Sequence, residues 1–396
     1  MKFLTTPYND SIVLIGPSEQ ELRIDRIRRL MGESNIDAII ITNHANIYYL
    51  TGRVFDGYIF IPVSGEIVYF VRRPVNLEGG KIVNIRKPED IASHITSIPT
   101  TLGLEYDLIP FSTVIRLQNL FPQATPTNAS AIMRTARSIK TATEIELIKR
   151  SGIEHVNVHR QIPQLYQPGM TDIDLQIEIE YLLRKHGCLG QFRISGDSME
   201  LYMGNLLVGD NADTPSPYDF AMGGAGMTPS LPVGAAGTPI KPGNTIMIDM
   251  NGNFTGHMTD MTRTYACGPI ADIAVKAHNC SIDIHHAIVK AAVPGVKCSD
   301  LYNLALTMAG DAGLAQYFMG HRQHAGFIGH GIGIEVNELP VIAPRSRDVI
   351  SCNMVIAIEP KFVIPAVGAV GIENTYLATP TGLVNLTELD EQIIQL

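Results

Sequence analysis

No block of basic residues runs through this sequence. Its 30 lysines and arginines are outnumbered by 39 aspartates and glutamates, which gives a formal net charge of −9 at pH 7. Proteins that bind nucleic acid or an anionic membrane surface neutralise phosphates with clustered cations, and this chain has no such cluster. The composition therefore argues against both kinds of partner.

Disulfide frameworks and cysteine zinc sites are equally unsupported. The five cysteines are scattered, odd in number and never form a CxxC pair, so we expect reduced thiols in a cytoplasmic protein. No secretory signal pattern opens the chain. The most apolar late segment, 354–372, is interrupted by Glu359, Pro360, Lys361 and Pro365, which argues against a membrane span.

The sequence pattern changes near residue 135. The chain has 396 residues, 45% of them hydrophobic, which is ample for more than one well-packed core. Strand and helix patterns alternate before this point, and Ile36 to Thr42 predicts a short buried strand. We therefore expect an N-terminal α/β domain at residues 1–135, without an acid/base cluster, and an α+β domain at residues 136–396.

The second domain contains an internal repeat. Pro-Gly, Asp-Leu and Gly recur in the same order, at 168–169, 174–175 and 187 and again at 294–295, 300–301 and 313. Each copy follows a helical segment and is followed by a strand hairpin, so a pseudo-symmetric domain with a site between its halves is predicted. Chance similarity of two Pro-Gly helix starts is the alternative. The Gly-, Pro- and Asn-rich stretch 203–243 is interpreted as loops and short strands at the rim of a pocket.

The segment 247–264 predicts a β-hairpin that carries two aspartates. Asp249 and Asp260 lie on either side of Asn251-Gly252-Asn253, a turn-forming sequence. Two carboxylates that face each other across a hairpin repel and raise each other's pKa unless a cation lies between them. A pair of divalent cations would satisfy both, whereas two solvated carboxylates are the alternative.

Three later residues complete this chemistry. His330 lies in GHGIG, Glu359 in IEP and Glu373 in GIENT, and carboxylates within apolar runs are costly unless they are paired or bind metal. With Asp249 and Asp260 they supply four negative charges, which two dications would balance, and one imidazole nitrogen. This ligand set suits Mn²⁺, Co²⁺, Fe²⁺ or Zn²⁺.

These residues, in this order, resemble those of the pita-bread metallopeptidases, which include Xaa-Pro aminopeptidase, prolidase, methionine aminopeptidase and the related creatinase. The segment RIDRIRRLMGESNIDAIIITNHANIYYLTG resembles the creatinase-type N-terminal domain, and residues 138–389 resemble the pita-bread domain. The resemblance implies two divalent ions per chain, with Mn or Co preferred and Zn or Fe as alternatives. It also implies a cytoplasmic homodimer that acts on a peptide or small amide.

The resemblance also implies a role for each residue of the set. Asp249 would hold one metal, His330 and Glu359 the other, and Asp260 and Glu373 would bridge them. The metals would activate water for attack on a scissile carbonyl, and Glu359 would also be catalytic by moving a proton.

Several positions depart from the family pattern. Histidines are expected at Val233, Gly326 and Asn337, and an arginine at Gly371. Their absence puts proline specificity in doubt but not metal binding. Asn337 can still donate an amide hydrogen bond to an oxyanion and is predicted to be catalytic. Val233 is predicted to lie at the substrate, where His324, near His321 in a short insertion, could replace a missing imidazole; exposed loop histidines are the alternative.

Three functions follow from this pattern. The first is a dinuclear-metal hydrolase of peptide bonds, an Xaa-Pro aminopeptidase or prolidase-like enzyme with altered specificity. The second is a hydrolase or lyase of a small non-peptide C–N compound on the same fold, as in creatinase. The third is a binding protein without catalysis, which five retained candidate ligands disfavour.

Overall fold

The first of two structural units is an α/β unit. The computed structural model describes residues 10–196, 200, 202–220 and 222–396, and the boundary between the two compact units lies after residue 137. Residues 1–9, where the sequence shows no secretory pattern, lie outside the described ranges. The elements up to the boundary are α1 Pro17–Glu33, β1 Ala38–Ile41, α2 His44–Thr51, β2 Asp56–Pro62, β3 Val68–Arg73, β4 Lys81–Asn84, β5 Thr101–Leu104, α3 Phe111–Gln118, β6 Thr125–Asn128 and α4 Ser130–Ser138.

The strands of this unit form one six-stranded sheet in the order β4-β3-β2-β1-β5-β6. Strand β1 pairs antiparallel with β2 and parallel with β5. All four of its residues are buried, because an interior strand covered on both faces favours a continuous apolar run. The predicted buried strand at residues 36–42 is confirmed. One face of the sheet packs on α3 through residues that include Ile40, Phe60, Leu104 and Leu117.

The second unit, residues 138–396, is an α+β unit. Its elements are α5 Ala142–His159, α6 Asp172–Lys185, β7 Gly204–Val208, β8 Thr245–Asn253, β9 Met258–Ala266, α7 Asp272–Ala291, α8 Cys298–Asp311, β10 Gly329–Gly331, β11 Glu338–Ile342, β12 Val355–Ile358, β13 Lys361–Ile364, β14 Gly368–Gly371, β15 Asn374–Thr379, β16 Gly382–Asn385 and β17 Ile394–Gln395. Short 3₁₀ turns across the two units lie at Pro88–Asp90, Ala92–His94, Ile162–Gln164, Gly209–Asp213 and Ala315–Tyr317. In the described part of the chain, no helix is apolar over the length that a bilayer crossing needs.

Two similar halves make up this unit. Helix α6 packs on the sheet β17-β9-β8-β7, and α7 and α8 pack on the sheet β11-β10-β12-β15-β16. The repeat glycines Gly169 and Gly295 both have φ +97°, and Gly187 and Gly313 have φ +96° and +69°. Backbone in the left-handed region favours glycine, which explains why the sequence repeats it there. The predicted pseudo-symmetric domain is confirmed.

The tip of the hairpin lies further along the chain than its sequence predicts. Strand β8 continues through Asn251-Gly252-Asn253 to residue 253, and the connection to β9 is residues 254–257, with Gly256 at φ +85°. A Cβ on Gly252 would lie 2.6 Å from Thr259 Oγ1 and 2.7 Å from His155 Nδ1. Gly252 is therefore needed for close packing within a strand, and the predicted turn at residues 251–253 was wrong.

Candidate metal centre

The hairpin β8–β9 presents its two aspartates on one face. Asp260 pairs with Asn251 and Thr262 pairs with Asp249. Residues two apart on a strand, and residues directly opposite on neighbouring strands, point to the same face of a sheet. Asp249 and Asp260 therefore extend from the same side, displaced by two residues along the hairpin.

The sheet of the other half supplies the remaining candidates. His330 is the middle residue of β10, Glu359 directly follows β12, and Glu373 directly precedes β15. These three strands are neighbours in the sheet. An isolated β-bridge between Thr262 and Glu373 joins the hairpin to this sheet, so residues more than a hundred positions apart converge.

All five predicted ligands come together in two overlapping groups. Asp260, His330 and Glu373 form one group, and Asp249, Glu359 and Glu373 form the other; within each group, one donor atom per residue lies within 4.8 Å of the others. Glu373 belongs to both groups. Except for Asp249, which is half-buried, every member is buried.

A lysine that the sequence pattern did not single out lies inside this cluster. Lys361 is fully buried, and its Nζ donates to Asp249 Oδ2 at 2.8 Å, Glu359 Oε2 at 2.8 Å and Glu373 Oε2 at 3.2 Å. Its position two residues after Glu359 is the feature of the sequence that could have indicated its place in the cluster. Side chains at that spacing in extended chain point the same way, and a cation within an apolar run needs an anionic partner.

Burial and mutual repulsion shift the titration of the carboxylates. Burial, followed by the charges of Glu373, Asp249 and Glu359, raises the pKa of Asp260 well above its usual value. Burial and the Glu359 charge raise the pKa of Glu373 to about 8. Both shifts indicate that the cluster contains more negative charge than its own cations balance.

Neighbouring cations reverse this effect at Glu359. Burial alone would raise its pKa, but the Lys361 ammonium and His330 together lower it to about 2. His330 shows the reciprocal shift: burial would lower its pKa, whereas the hydrogen bond and charge of Glu359 raise it to about 9. The two side chains approach to 3.4 Å, from His330 Nε2 to Glu359 Oε1.

The surrounding residues fix the position of Glu373. Thr262 Oγ1 donates to Glu373 Oε2 at 2.8 Å, so Thr262 supports this carboxylate. The fully buried Arg263 donates to the backbone carbonyls of Thr262 and Glu373 and to Asn374 Oδ1. These bonds hold the strand ends of both halves together.

The first group of ligands fits a divalent cation. Glu373 Oε1 is buried and has no hydrogen-bond partner among the described residues, and a buried carboxylate oxygen without a partner is costly. Asp260 and His330 place an oxygen and an imidazole nitrogen beside it, a donor set that suits Mn²⁺, Co²⁺, Fe²⁺ or Zn²⁺. In the second group, by contrast, the Lys361 ammonium already contacts all three carboxylates.

A cavity of about 340 Å³ opens onto the cluster. Asp249, Asp260, His330 and Glu359 form its charged floor, and the walls are largely apolar. The predicted rim segment 203–243 contributes to it. The remaining lining residues are Ile194, Ser195, Gly196, Gly204, Asn205, Asp219, Phe220, Met222, Asn251, Phe327, Val336, Asn337 and Val341.

Asn337 faces this cavity but is engaged with a loop. Its Oδ1 accepts from Ser195 N at 2.7 Å, and its Nδ2 donates to Ser195 O at 2.6 Å. One Nδ2 hydrogen remains for another acceptor. Holding the cavity wall at Ser195 is therefore the role that the contacts show, and oxyanion donation stays a prediction.

The structure does not bring the two predicted substrate residues to the cavity. Val233 is fully buried and is not among the described residues that line it. The His324 Nδ1 lies 2.8 Å from the Phe318 carbonyl oxygen. This histidine lines an adjoining hollow of about 30 Å³, which shares Asp219, Phe220 and Met222 with the cavity. His321 pairs with Asp213 at 2.9 Å. Substrate contact by Val233 or His324 stays a prediction without geometric support.

Known proteins resemble this chain over both units. The model of a family described as the Creatinase/Prolidase N-terminal domain matches residues 23–139. A curated Xaa-Pro dipeptidase of Pyrococcus horikoshii is 24% identical over 380 residues, which cover 94% of this chain and 98% of that protein. A protein of Bacillus subtilis described as an uncharacterized peptidase, YqhT, is 26% identical over 385 residues, which cover 94% of this chain and 99% of that protein.

Solved structures share the fold. An Xaa-Pro dipeptidase from Bacillus anthracis superposes with a TM-score of 0.80 at 23% identity, covering 95% of this chain and 100% of that one. The N-terminal domain of a FACT complex subunit, SPT16, from chickpea superposes with a TM-score of 0.71 at 14% identity, covering 96% of this chain and 99% of that one. Because such different proteins share the fold, the fold alone does not define an activity.

The family is defined by the second unit. The model described as metallopeptidase family M24 matches residues 146–380, more than half of the chain. This span includes both halves of the repeat and all five clustered candidate ligands. The chain belongs to metallopeptidase family M24.

Proposed function

We propose that this chain is a divalent-metal-dependent hydrolase of short peptides, prolidase-like or Xaa-Pro aminopeptidase-like, with altered specificity. The observation that carries the proposal is the buried cluster of four carboxylates and one imidazole at the floor of the cavity. The names of its relatives support a dipeptide substrate. The cavity volume, about 340 Å³, is in the range of small-ligand sites.

Asp260, His330 and Glu373 would hold a divalent ion. When bound, the ion would supply Lewis-acid activation of water and of the scissile carbonyl. Glu359 lines the same cavity beside these ligands, so it is placed to accept a proton from the attacking water. Phe220, Phe327 and the other apolar walls would bind the substrate side chain and exclude bulk water.

The sequence predicts two ions, with Mn²⁺ or Co²⁺ preferred and Asp249 and Glu359 completing the second site. That second ion would have to take the position that the Lys361 ammonium occupies. The metal identity, a cytoplasmic location and a homodimer stay sequence-based predictions. Light scattering of the purified protein tests the last of these.

A peptide panel tests the function directly. Metal-free protein is reconstituted with Mn²⁺ or Co²⁺ and given Ala-Pro, Ala-Ala and a tripeptide with proline second. We expect metal-dependent release of free amino acids. His330→Gln should abolish it, whereas His286→Gln, which alters an exposed histidine paired with Glu391, should not. No hydrolysis of any peptide with either metal would refute the proposal.

Two observations favour the second candidate, a hydrolase or lyase of a small non-peptide C–N compound. Gly371 has no room for the arginine that the family resemblance implies, because a Cβ there would lie 2.8 Å from Pro360 O and 3.0 Å from Lys361 Cα. Val233 is buried away from the cavity. Two positions expected to determine peptide specificity therefore offer no polar group. Amidino and cyclic amide compounds, assayed with the same reconstituted protein, distinguish this candidate.

A further inference from the structure

Lys361 satisfies the geometry of a built-in cation. An ammonium group has three hydrogens to donate, and Lys361 Nζ has three carboxylate acceptors at 2.8, 2.8 and 3.2 Å. The side chain has no solvent exposure. Its acceptors, Asp249, Glu359 and Glu373, are the same three residues that form the second ligand group of the cluster.

The backbone holds this lysine in place. Lys361 begins β13 and pairs with Gly371 of β14, and its carbonyl accepts from Met319 N at 2.9 Å. It is not among the described residues that line the cavity. The ammonium therefore contacts the carboxylates and not the space that a substrate would fill.

A second divalent ion would conflict with this ammonium. Two cations within a few ångströms repel strongly at low dielectric, and an ion among these three carboxylates would compete with Lys361 for the same three side chains. Four carboxylates, one ammonium and one dication leave a single net negative charge. A second dication would turn that into a net positive charge, which burial penalises.

We propose that the Lys361 ammonium takes the place of a second metal ion, so that the chain binds one divalent ion, at Asp260, His330 and Glu373. The proposal rests on the metal site of the proposed function and specifies its stoichiometry. The family resemblance makes both Asp249 and Asp260 metal ligands, whereas this proposal gives them different roles. Asp249 orients the lysine, and Asp260 holds the ion.

Counting bound metal tests this directly. Chelated protein is reloaded with Mn²⁺ alone, freed of excess metal and measured by elemental analysis, titration calorimetry and electron paramagnetic resonance. We expect one tightly bound Mn²⁺ per chain with an uncoupled hyperfine pattern. Lys361→Met, of similar length and no charge, should bind two ions and show an exchange-coupled signal. The matched variant Lys361→Arg keeps the charge and should not gain a second ion.

A second variant keeps the proposal testable if Lys361→Met does not fold. Asp249→Asn should still bind one Mn²⁺ per chain, since Asp249 contacts the lysine and not the ion. Two ions in the unmodified chain, one ion in a folded Lys361→Met, or loss of the ion in a folded Asp249→Asn would each overturn the proposal. No ion in the unmodified chain would overturn the proposed metal-dependent function as well.

Discussion

At the scale of single residues, the carboxylates of the cluster differ in what compensates them. Asp249, Glu359 and Glu373 each accept from Lys361, whose three donated hydrogen bonds leave none for Asp260. Burial, followed by the charges of Glu373, Asp249 and Glu359, raises the pKa of Asp260 well above its usual value. Asp260 is therefore the residue whose charge most needs a metal ion.

Asp260→Asn should separate metal binding from folding. Metal-free variant should be at least as stable as metal-free wild type, because a repulsive buried charge is removed. Added Mn²⁺ should no longer stabilise the variant, because stabilisation by a ligand follows its affinity. Mutation of residues that only support a metal ligand can lower metal affinity by roughly 100-fold, and loss of a direct ligand should cost at least as much. Thermal melts with chelator and with Mn²⁺ measure both effects. Equal Mn²⁺ stabilisation of the two proteins would contradict this role for Asp260.

Asn337→Leu distinguishes a positioning role from a catalytic one. The variant loses both hydrogen bonds to Ser195, which should cost about 1–3 kcal/mol of stability and loosen one wall of the cavity. We expect a raised KM with kcat nearly unchanged. If Asn337 is instead the oxyanion donor, kcat should fall by roughly 10²–10³-fold. Steady-state kinetics on the best peptide decide between the two.

At the scale of elements, the hairpin β8–β9 depends on a glycine within a strand. Gly252→Ala would place a Cβ 2.6 Å from Thr259 Oγ1 and 2.7 Å from His155 Nδ1. Such overpacking should cost about 1–3 kcal/mol and displace the strands that carry Asp249 and Asp260, so Mn²⁺ affinity should fall too.

A helical glycine provides the control for this prediction. In α8, a Cβ on Gly310 meets no atom of the described residues within 4 Å apart from its chain neighbours and its own helix backbone, so Gly310→Ala should stabilise the protein by about 0.5–1 kcal/mol. Denaturant unfolding of both variants gives the comparison. Gly252→Ala with unchanged stability and Mn²⁺ affinity would show that the hairpin tolerates the extra carbon.

The same hairpin shows where sequence reasoning succeeded and where it did not. Its strands were predictable from apolar residues on both sides of a polar stretch. Its turn was not, because Asn-Gly-Asn is typical of turns. The close approach of Thr259 and of His155, a residue of α5, explains why glycine occupies this position within a strand. The end of strand β8 at Asn253 depends on tertiary packing, which the local sequence pattern does not reveal.

At the scale of the whole molecule, buried histidines should make folding sensitive to acid. Burial lowers the pKa of His285 from 6.5 to about 3, and His285 Nε2 lies 2.8 Å from Ile372 O, next to Glu373. Between pH 6.5 and pH 3 the unfolded chain therefore binds a proton that the folded chain does not. This contribution to stability is complete above about pH 6.5 and is lost as the pH falls below it.

His285→Gln removes this linkage while keeping an amide that can reach Ile372 O. From about pH 7 to about pH 5, the free energy of unfolding of the wild type should fall by about 2 kcal/mol more than that of the variant. Urea unfolding of both metal-free proteins at the two pH values measures the difference. Parallel losses would contradict the buried, neutral state of His285.

The overall architecture and the five candidate ligands were predictable because they are recorded in ordered motifs and in a repeat with fixed spacing. Lys361 was not recognised, since its meaning depends on Asp249 and Glu373, which lie 112 and 12 positions away. Val233 and His324 illustrate the converse. The resemblance indicated a place in the sequence, but in the structure Val233 is buried and His324 lines a small hollow beside the cavity rather than the cavity itself.

Anomalous diffraction from crystals grown with Mn²⁺ would show how many ions bind and where. Data at the manganese absorption edge locate the ion independently of any activity. We predict one anomalous peak per chain, bounded by Asp260, His330 and Glu373, with the Lys361 ammonium still among Asp249, Glu359 and Glu373. The absence of a peak at this cluster, or a peak at the position of the Lys361 ammonium, would contradict the single-ion centre.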